Sequence, residues 1–144
     1  MKQNRIITSI LAILFFQLAN AQAPATGRYY IRLANGQALE AENNTYKNDG
    51  CKVQIWKQRF TLNQIWDISN AGDGKFYIKN VGAGKNLDAH AAAVNTNASK
   101  VQLWQVLPAN MNQKWIFQRV SANRYTIRNA ASATNKVLDV TGAA

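Results

Sequence analysis

The chain has little cysteine and histidine, and this limits its possible chemistry. Cys51 is the only cysteine, so no internal disulfide can form. It alternates with Val53 and Ile55, which indicates a small buried side chain, although an odd cysteine in a secreted chain can also pair between molecules. His90 is the only histidine, and a zinc site beside Asp88 would need further ligands that are absent. We therefore expect no metal and no cofactor, with His90 either at the rim of a site or exposed.

Acidic residues are also scarce, with seven Asp and Glu against seventeen Lys and Arg. Three of the acids occupy equivalent positions of the repeat described below, so no pair remains for glycoside hydrolysis. The sequence also lacks a glycine-rich phosphate loop and a Ser/His/Asp set, and we expect no enzymatic activity.

The formal net charge is +10, which favours acidic glycans as partners. A generally solvated basic surface is the alternative. Nucleic acid is not expected, because the basic residues are spread singly from Arg28 to Lys136 without a run or a helical stripe.

Long apolar runs are absent after residue 19. The one apolar stretch, residues 6–19, follows Lys2 and Arg5 and ends in small residues. This pattern predicts a secretory signal in residues 1–21, with residues 22–27 as a short linker. An N-terminal membrane anchor is the alternative, but polar residues interrupt the run. We expect a secreted or extracellular protein, periplasmic or at the cell surface if the source is bacterial, with no membrane span after cleavage.

The remaining sequence contains a repeat. Three segments align as aromatic, any residue, Ile, basic, followed by a turn, and they begin at Tyr29, Phe76 and Tyr125. Each segment is followed by a leucine and an acidic residue, which are Leu39-Glu40, Leu87-Asp88 and Leu138-Asp139. The spacing of about 48 residues indicates one supersecondary unit present in three copies.

Each complete copy is predicted to form four short strands. Apolar and polar residues alternate over short stretches between Asn, Gly and Asp turns, and no segment keeps a helical period. The predicted strands lie near residues 29–33, 38–42, 53–56 and 64–68, and near residues 76–80, 86–90, 101–104 and 114–118. One copy cannot bury its apolar face alone, so we expect an all-β barrel capped by hairpins.

Strand parity separates the four tryptophans into two classes. In residues 101–104, Val and Leu are expected to face the core, which places Gln102 and Trp104 on the outer side. The equivalent tryptophan of the first copy is expected outside by the same argument. Trp66 and Trp115 share the parity of their apolar neighbours and are predicted to lie in the core.

An outward Trp beside a Gln, with an acid upstream and an Asn-Gln pair downstream, suits sugar binding. The C–H face of a pyranose stacks on an aromatic ring, while a carboxylate and side-chain amides bind its hydroxyls. The second copy supplies all of these groups, which we call the second-copy site: Asp88, Gln102, Trp104, Asn112 and Gln113.

These motifs, VQIW or VQLW followed by Asn-Gln-x-Trp, resemble the ricin B-type lectin family over residues 28–144. The resemblance implies a non-catalytic β-trefoil that binds carbohydrate. The roles that it implies are hydroxyl acceptor for Asp88, stacking platform for Trp104, rim hydrogen bonding for Gln102 and Asn112, and support of the aspartate for Gln113.

The other two copies depart from this pattern. The matching residues of the first copy, called the first-copy site, are Glu40, Gln54, Trp56, Asn63 and Gln64. The extra methylene of Glu40 is expected to displace its carboxylate, so a weaker site is predicted there. The third copy offers only Asp139 and is incomplete at the C-terminus. We expect these 144 residues to be a fragment of a longer reading frame. The alternative is a natural chain of two and a half repeats that pairs with a second copy of itself.

The sequence therefore predicts a secreted, non-catalytic carbohydrate-binding domain. Two alternatives stay open. The domain could be the targeting module of a longer secreted glycoside hydrolase or other glycan-active enzyme, or it could be a trefoil that binds proteins and has no affinity for sugar.

Overall fold

The computed structural model describes residues 23–140. The predicted signal segment, residues 1–21, lies outside the described residues, as do residues 22 and 141–144. Between residues 23 and 140 the regular structure consists of strands and three short 3-10 turns, at Leu62–Gln64, Ala91–Ala93 and Met111–Gln113. Within this range, no helix is long and apolar enough to cross a membrane.

The described part of the chain contains nine strands. They are β1 (Gly27–Tyr29), β2 (Ala38–Ala41), β3 (Cys51–Trp56), β4 (Trp66–Gly72), β5 (Lys75–Asn80), β6 (Lys85–Ala89), β7 (Val101–Trp104), β8 (Trp115–Ser121) and β9 (Arg124–Asn129). Each complete copy therefore has the four strands that were predicted.

All of the strand pairs are antiparallel. A continuous series runs β1-β4-β5, and β5 continues to β8 and then β9. The hairpins β2–β3 and β6–β7 project from this series and pair with each other through β3 and β7. Their registers correspond, because Glu40 lies opposite Gln54 and Asp88 lies opposite Gln102. Both complete copies thus present an acid and a glutamine side by side.

The core forms around two tryptophans, as strand parity predicted. Trp66 and Trp115 are fully buried, and their indole Nε1 atoms donate hydrogen bonds to the carbonyl oxygens of Leu39 and Leu87, at 2.9 and 3.0 Å. Each tryptophan therefore ties the closing strand of its copy to the hairpin that carries the acid. The other large fully buried apolar side chains are Ile78, Leu87 and Leu103.

Two predicted strand boundaries are wrong. The strand predicted at residues 29–33 is observed at Gly27–Tyr29, and the chain beyond it forms only an isolated antiparallel bridge between Arg32 and Ala38. The Leu33 amide donates to the Gln37 carbonyl at 2.9 Å across this short hairpin. The strand predicted at 64–68 starts only at Trp66, since Gln64 belongs to a 3-10 turn. At Gln64 the backbone amide donates to the Thr61 carbonyl at 2.9 Å, and this turn bond replaces pairing within the sheet.

Candidate functional site

The Asp88 carboxylate lies at the centre of the second-copy site and is held by two glutamine amides. Nε2 of Gln102 donates to Oδ1 at 3.3 Å, and Nε2 of Gln113 donates to Oδ2 at 3.2 Å. The β6–β7 register positions Gln102, and the 3-10 turn Met111–Gln113 positions Gln113. A carboxylate oxygen can accept two hydrogen bonds, so each oxygen retains capacity for a ligand hydroxyl.

Gln113 connects this carboxylate to the neighbouring loop. Its Nε2 also donates to the Gln105 carbonyl at 2.9 Å, and its Oε1 accepts from the Leu107 amide at 2.9 Å and from Nδ2 of Asn86 at 3.0 Å. The side chain is completely buried. The orientation of its amide is therefore fixed by the fold, and its Nε2 must face the carboxylate.

Burial raises the pKa of Asp88 above its usual value. Desolvation disfavours the charged carboxylate, while the hydrogen bonds from Gln113 and Gln102 and the nearby His90 favour it and oppose the rise. The two amides thus partly offset the free-energy cost of burying this charged group.

The position of Gln102 corrects one expectation from strand parity. It was expected outside with Trp104, but it is buried, because its amide turns toward Asp88. Trp104 is half-buried rather than fully exposed, and a Cβ on Gly50 would lie 3.9 Å from its ring. Gly50 has a φ of +80°, so the first copy supplies a turn without a side chain beside Trp104. Leu103 is buried in the core as predicted.

Two equivalent asparagines are used differently in the two copies. Nδ2 of Asn63 donates to the Ala41 carbonyl at 2.9 Å, and its Oδ1 accepts from Oγ1 of Thr61 at 2.6 Å. The half-buried side chain of Asn112 makes no hydrogen bond within residues 23–140. Its hydrogen bonds are made by the backbone: the amide donates to Oδ1 of Asn110, and the carbonyl accepts from Nδ2 of Asn129. Asn112 can therefore offer its amide to a ligand, while Asn63 serves the fold.

The first-copy carboxylate has two glutamine partners that correspond to those of Asp88. Oε1 of Glu40 accepts from Nε2 of Gln54 at 3.2 Å, and Oε2 accepts from Nε2 of Gln64 at 2.7 Å. These are the counterparts of the two amides that hold Asp88. The extra methylene is accommodated within the buried side chain, which keeps both amide contacts.

The stacking surface of the first copy differs from that of the second. Trp56 is 43% exposed, and the guanidinium carbon of Arg59 lies 5.5 Å from the centroid of its ring. This distance is typical of a cation–π contact. One face of Trp56 is therefore covered by a cation that sequence reasoning did not single out. Arg59 lies three residues after Trp56, and Leu107 lies three residues after Trp104. This shared spacing is the sequence signal that could have identified it.

The remaining candidates lie apart from these sites. Asp139 is exposed, and Oδ1 accepts from the Val140 amide at 2.8 Å, with no glutamine holding it in the described part of the chain. His90 is exposed and Cys51 is buried and unpaired. Across residues 23–140, no three His, Cys, Asp or Glu side chains are grouped closely enough to hold a metal ion.

A family model decides the relationship of the chain to known proteins. The ricin-type beta-trefoil lectin domain-like model matches residues 16–104 and 62–144. The chain belongs to this family. The all-β architecture and the resemblance noted from the sequence are thereby confirmed. No curated protein is significantly similar to the chain.

Solved structures agree on the β-trefoil fold. A designed three-fold symmetric protein, ThreeFoil, is 28% identical with a TM-score of 0.69, over 76% of this chain and 74% of its own. A Polyporus squamosus lectin is 22% identical with a TM-score of 0.67, over 81% of this chain and 40% of its own. An exo-beta-1,3-galactanase from Clostridium thermocellum is 22% identical with a TM-score of 0.66, over 77% of this chain and 24% of its own. The chain thus spans less than half of these last two proteins.

Proposed function

We propose that this chain is a secreted, non-catalytic carbohydrate-binding domain whose main site is the second-copy site. The observation that carries the proposal is the Asp88 carboxylate, held by Gln102 and Gln113, with the half-buried Trp104 two residues after Gln102 on the same strand. Membership of a lectin-type family supports it, as does the likeness to a lectin solved with the epitope Neu5Aca2-6Galb1-4GlcNAc.

Each residue has a role that follows from its chemistry. Asp88 accepts two hydroxyl protons in charge-assisted hydrogen bonds, and the ring of Trp104 stacks on the apolar face of a pyranose. Asn112 supplies a donor and an acceptor at the rim, while Gln102 and Gln113 hold the carboxylate. One shallow site of this kind is expected to bind with a Kd of about 0.1–10 mM.

The formal net charge is +10 for the whole chain and +8 without Lys2 and Arg5 of the proposed signal segment, and this favours glycans that carry acidic groups. Long-range attraction raises the local concentration of anionic ligands and falls with ionic strength. We therefore include acidic polysaccharide among the proposed partners.

A second candidate is a carbohydrate-targeting module within a longer glycan-active enzyme. The galactanase match favours it, since that enzyme contains a region of this fold that makes up about a quarter of its chain. The proposed sugar site is the same in both cases. Attachment to a catalytic domain would change where the site acts, and its contacts with sugar would stay as described.

The proposal is tested by comparing two tryptophan variants. A glycan array identifies a neutral ligand, and calorimetric titration then measures its affinity for the wild type, Trp104→Ala and Trp56→Ala. Trp104→Ala is expected to weaken binding about tenfold or more through loss of the stacked ring, and Trp56→Ala is expected to have a smaller effect.

Binding that is unaffected by both variants would refute the proposed stacking surfaces. Equal losses would show that the two sites contribute alike, and reversed losses would show that the first-copy site is the main one. Thermal melts serve as the control, because Trp104→Ala must remain folded for the comparison to be valid.

A further inference from the structure

We propose that the first-copy site selects sugars that carry an anionic group, and that Arg59 recognises this group. The inference rests on the proposed function, because it assigns a ligand class to one of the two sugar sites. It concerns an arrangement that the second-copy site lacks.

Arg59 is built into the same hydrogen-bond network as the Glu40 carboxylate. Its backbone amide donates to Oε1 of Gln64 at 2.7 Å, and Nε2 of Gln64 donates to Glu40 at 2.7 Å. One buried glutamine therefore fixes both the carboxylate and the backbone from which the guanidinium extends. The network thus connects the hydroxyl acceptor to the loop that places the cation at the ring of Trp56.

The loop that carries Arg59 is further restrained at Phe60. Phe60 has a φ of +59°, which is unfavourable for a bulky residue, and its ring is 71% exposed. It contacts Tyr30 edge-on, with ring centroids 5.7 Å apart. The chain therefore holds a strained backbone and an exposed aromatic ring directly beside Arg59.

The guanidinium has no acidic partner within the described residues. The three ion pairs between residues 23 and 140 are Arg28–Asp67, Lys75–Asp73 and Lys85–Asp49. The side chain of Arg59 is exposed and contacts the ring of Trp56. A charged group held against a sugar-stacking surface, with its hydrogen-bond donors unused there, is suited to a ligand anion.

The chemistry favours an anion over a neutral sugar. A neutral pyranose that stacks on the covered face of Trp56 must displace the guanidinium and lose the cation–π contact. A sugar with a carboxylate or sulfate group can accept two parallel hydrogen bonds from the guanidinium while its hydroxyls reach Glu40. The hydrogen bonds to the anion therefore compensate for the lost cation–π contact between Arg59 and Trp56.

The second copy provides a natural comparison at Leu107. The Leu107 amide donates to Oε1 of Gln113 at 2.9 Å, which is the counterpart of the Arg59 bond to Gln64. Leu107 thus occupies the position of Arg59 with an apolar, partly exposed side chain. Exchanging these two residues should transfer the preference for anions between the copies.

The test follows the four indole N–H signals in ¹H–¹⁵N spectra of the protein, since the four tryptophans report separately on each site and on the core. The probes are galacturonate and glucuronate oligosaccharides, the same compounds as methyl esters, and galactose 6-sulfate. The acid is expected to shift the Trp56 signal with an affinity about tenfold higher than that of its ester. In Arg59→Leu this advantage is lost, and in Leu107→Arg it appears at Trp104. The sulfate arm shows whether carboxylate is required or any anion suffices.

Three results would overturn the inference. These are equal binding of acid and ester at Trp56, an Arg59→Leu variant that keeps the preference for acid, and binding of every probe at Trp104 alone. In the last case the proposed function survives, because sugar still binds at the second-copy site. If no glycan, neutral or acidic, shifts either signal, the proposed function and this inference both fail.

Discussion

Replacing Trp115 by alanine is expected to destabilise the protein by about 3–5 kcal/mol, as large-to-small core changes do. The side chain is 1% exposed, so its removal leaves a cavity that the packed neighbours cannot fill completely. The change also leaves the Leu87 carbonyl without its indole donor. Trp66→Ala should have a similar effect, because Trp66 donates to the Leu39 carbonyl in the same way.

Chemical denaturation followed by tryptophan fluorescence measures this loss. The matched control is Trp56→Ala, which removes the same side chain from a surface position and should cost about 1 kcal/mol or less. A similar loss for Trp56→Ala and Trp115→Ala would contradict the division of the tryptophans into core and surface.

That division could be predicted because it depends on the alternation of side chains along a strand. The parity argument needs only the sequence near Trp66 and Trp115, and burial of both follows from it. The repeat spacing similarly predicted the order of the strands. Strand ends were predicted less well, since turn hydrogen bonds such as that from Gln64 to Thr61 depend on local backbone geometry.

Parity alone could not predict the burial of Gln102 or the position of the Glu40 carboxylate. A side chain on the outer side of a strand becomes buried when another polar group lies within hydrogen-bonding distance, as Asp88 does for Gln102. The longer Glu40 keeps both amide contacts by adjusting its own side chain. Both outcomes depend on tertiary contacts between strands and the 3-10 turns, which alternation does not encode.

The position of Arg59 over Trp56 also depends on the tertiary structure. The loop is anchored by Gln64 and passes through a left-handed residue at Phe60. Neither feature follows from a sequence motif, because left-handed backbone is uncommon for phenylalanine. The sequence shows that Arg59 is present, whereas its position at the ring of Trp56 follows only from the tertiary structure.

Asp88→Asn is expected to weaken sugar binding about 10- to 100-fold while leaving the fold intact. Hydrogen bonds to a charged acceptor contribute about 1.5–3 kcal/mol, and the variant removes the charge and one of the two acceptor oxygens. The asparagine oxygen can still accept from Gln113, and Gln102 can rotate its amide to present its oxygen to the new amide group. Titration and thermal melts of the same sample measure both properties. The matched control is Asp139→Asn, since Asp139 is exposed and not held by a glutamine in the described residues.

The pH dependence of Asp88 should have opposite signs for binding and for stability. Sugar binding needs the carboxylate, and burial raises its pKa above the usual 3.8, so binding should be lost on acidification earlier than for an exposed aspartate. Because the pKa in the folded protein is raised above that of the unfolded chain, the folded state binds this proton more tightly. The resulting contribution to stability is fully present below the unfolded pKa and is lost as the pH rises through the folded pKa. The difference in unfolding free energy between wild type and Asp88→Asn should therefore shift against the wild type as the pH rises through this window. Denaturation of both proteins across the acidic range measures that difference, and a shift in favour of the wild type would show that hydrogen bonding from the two glutamines outweighs burial at this carboxylate.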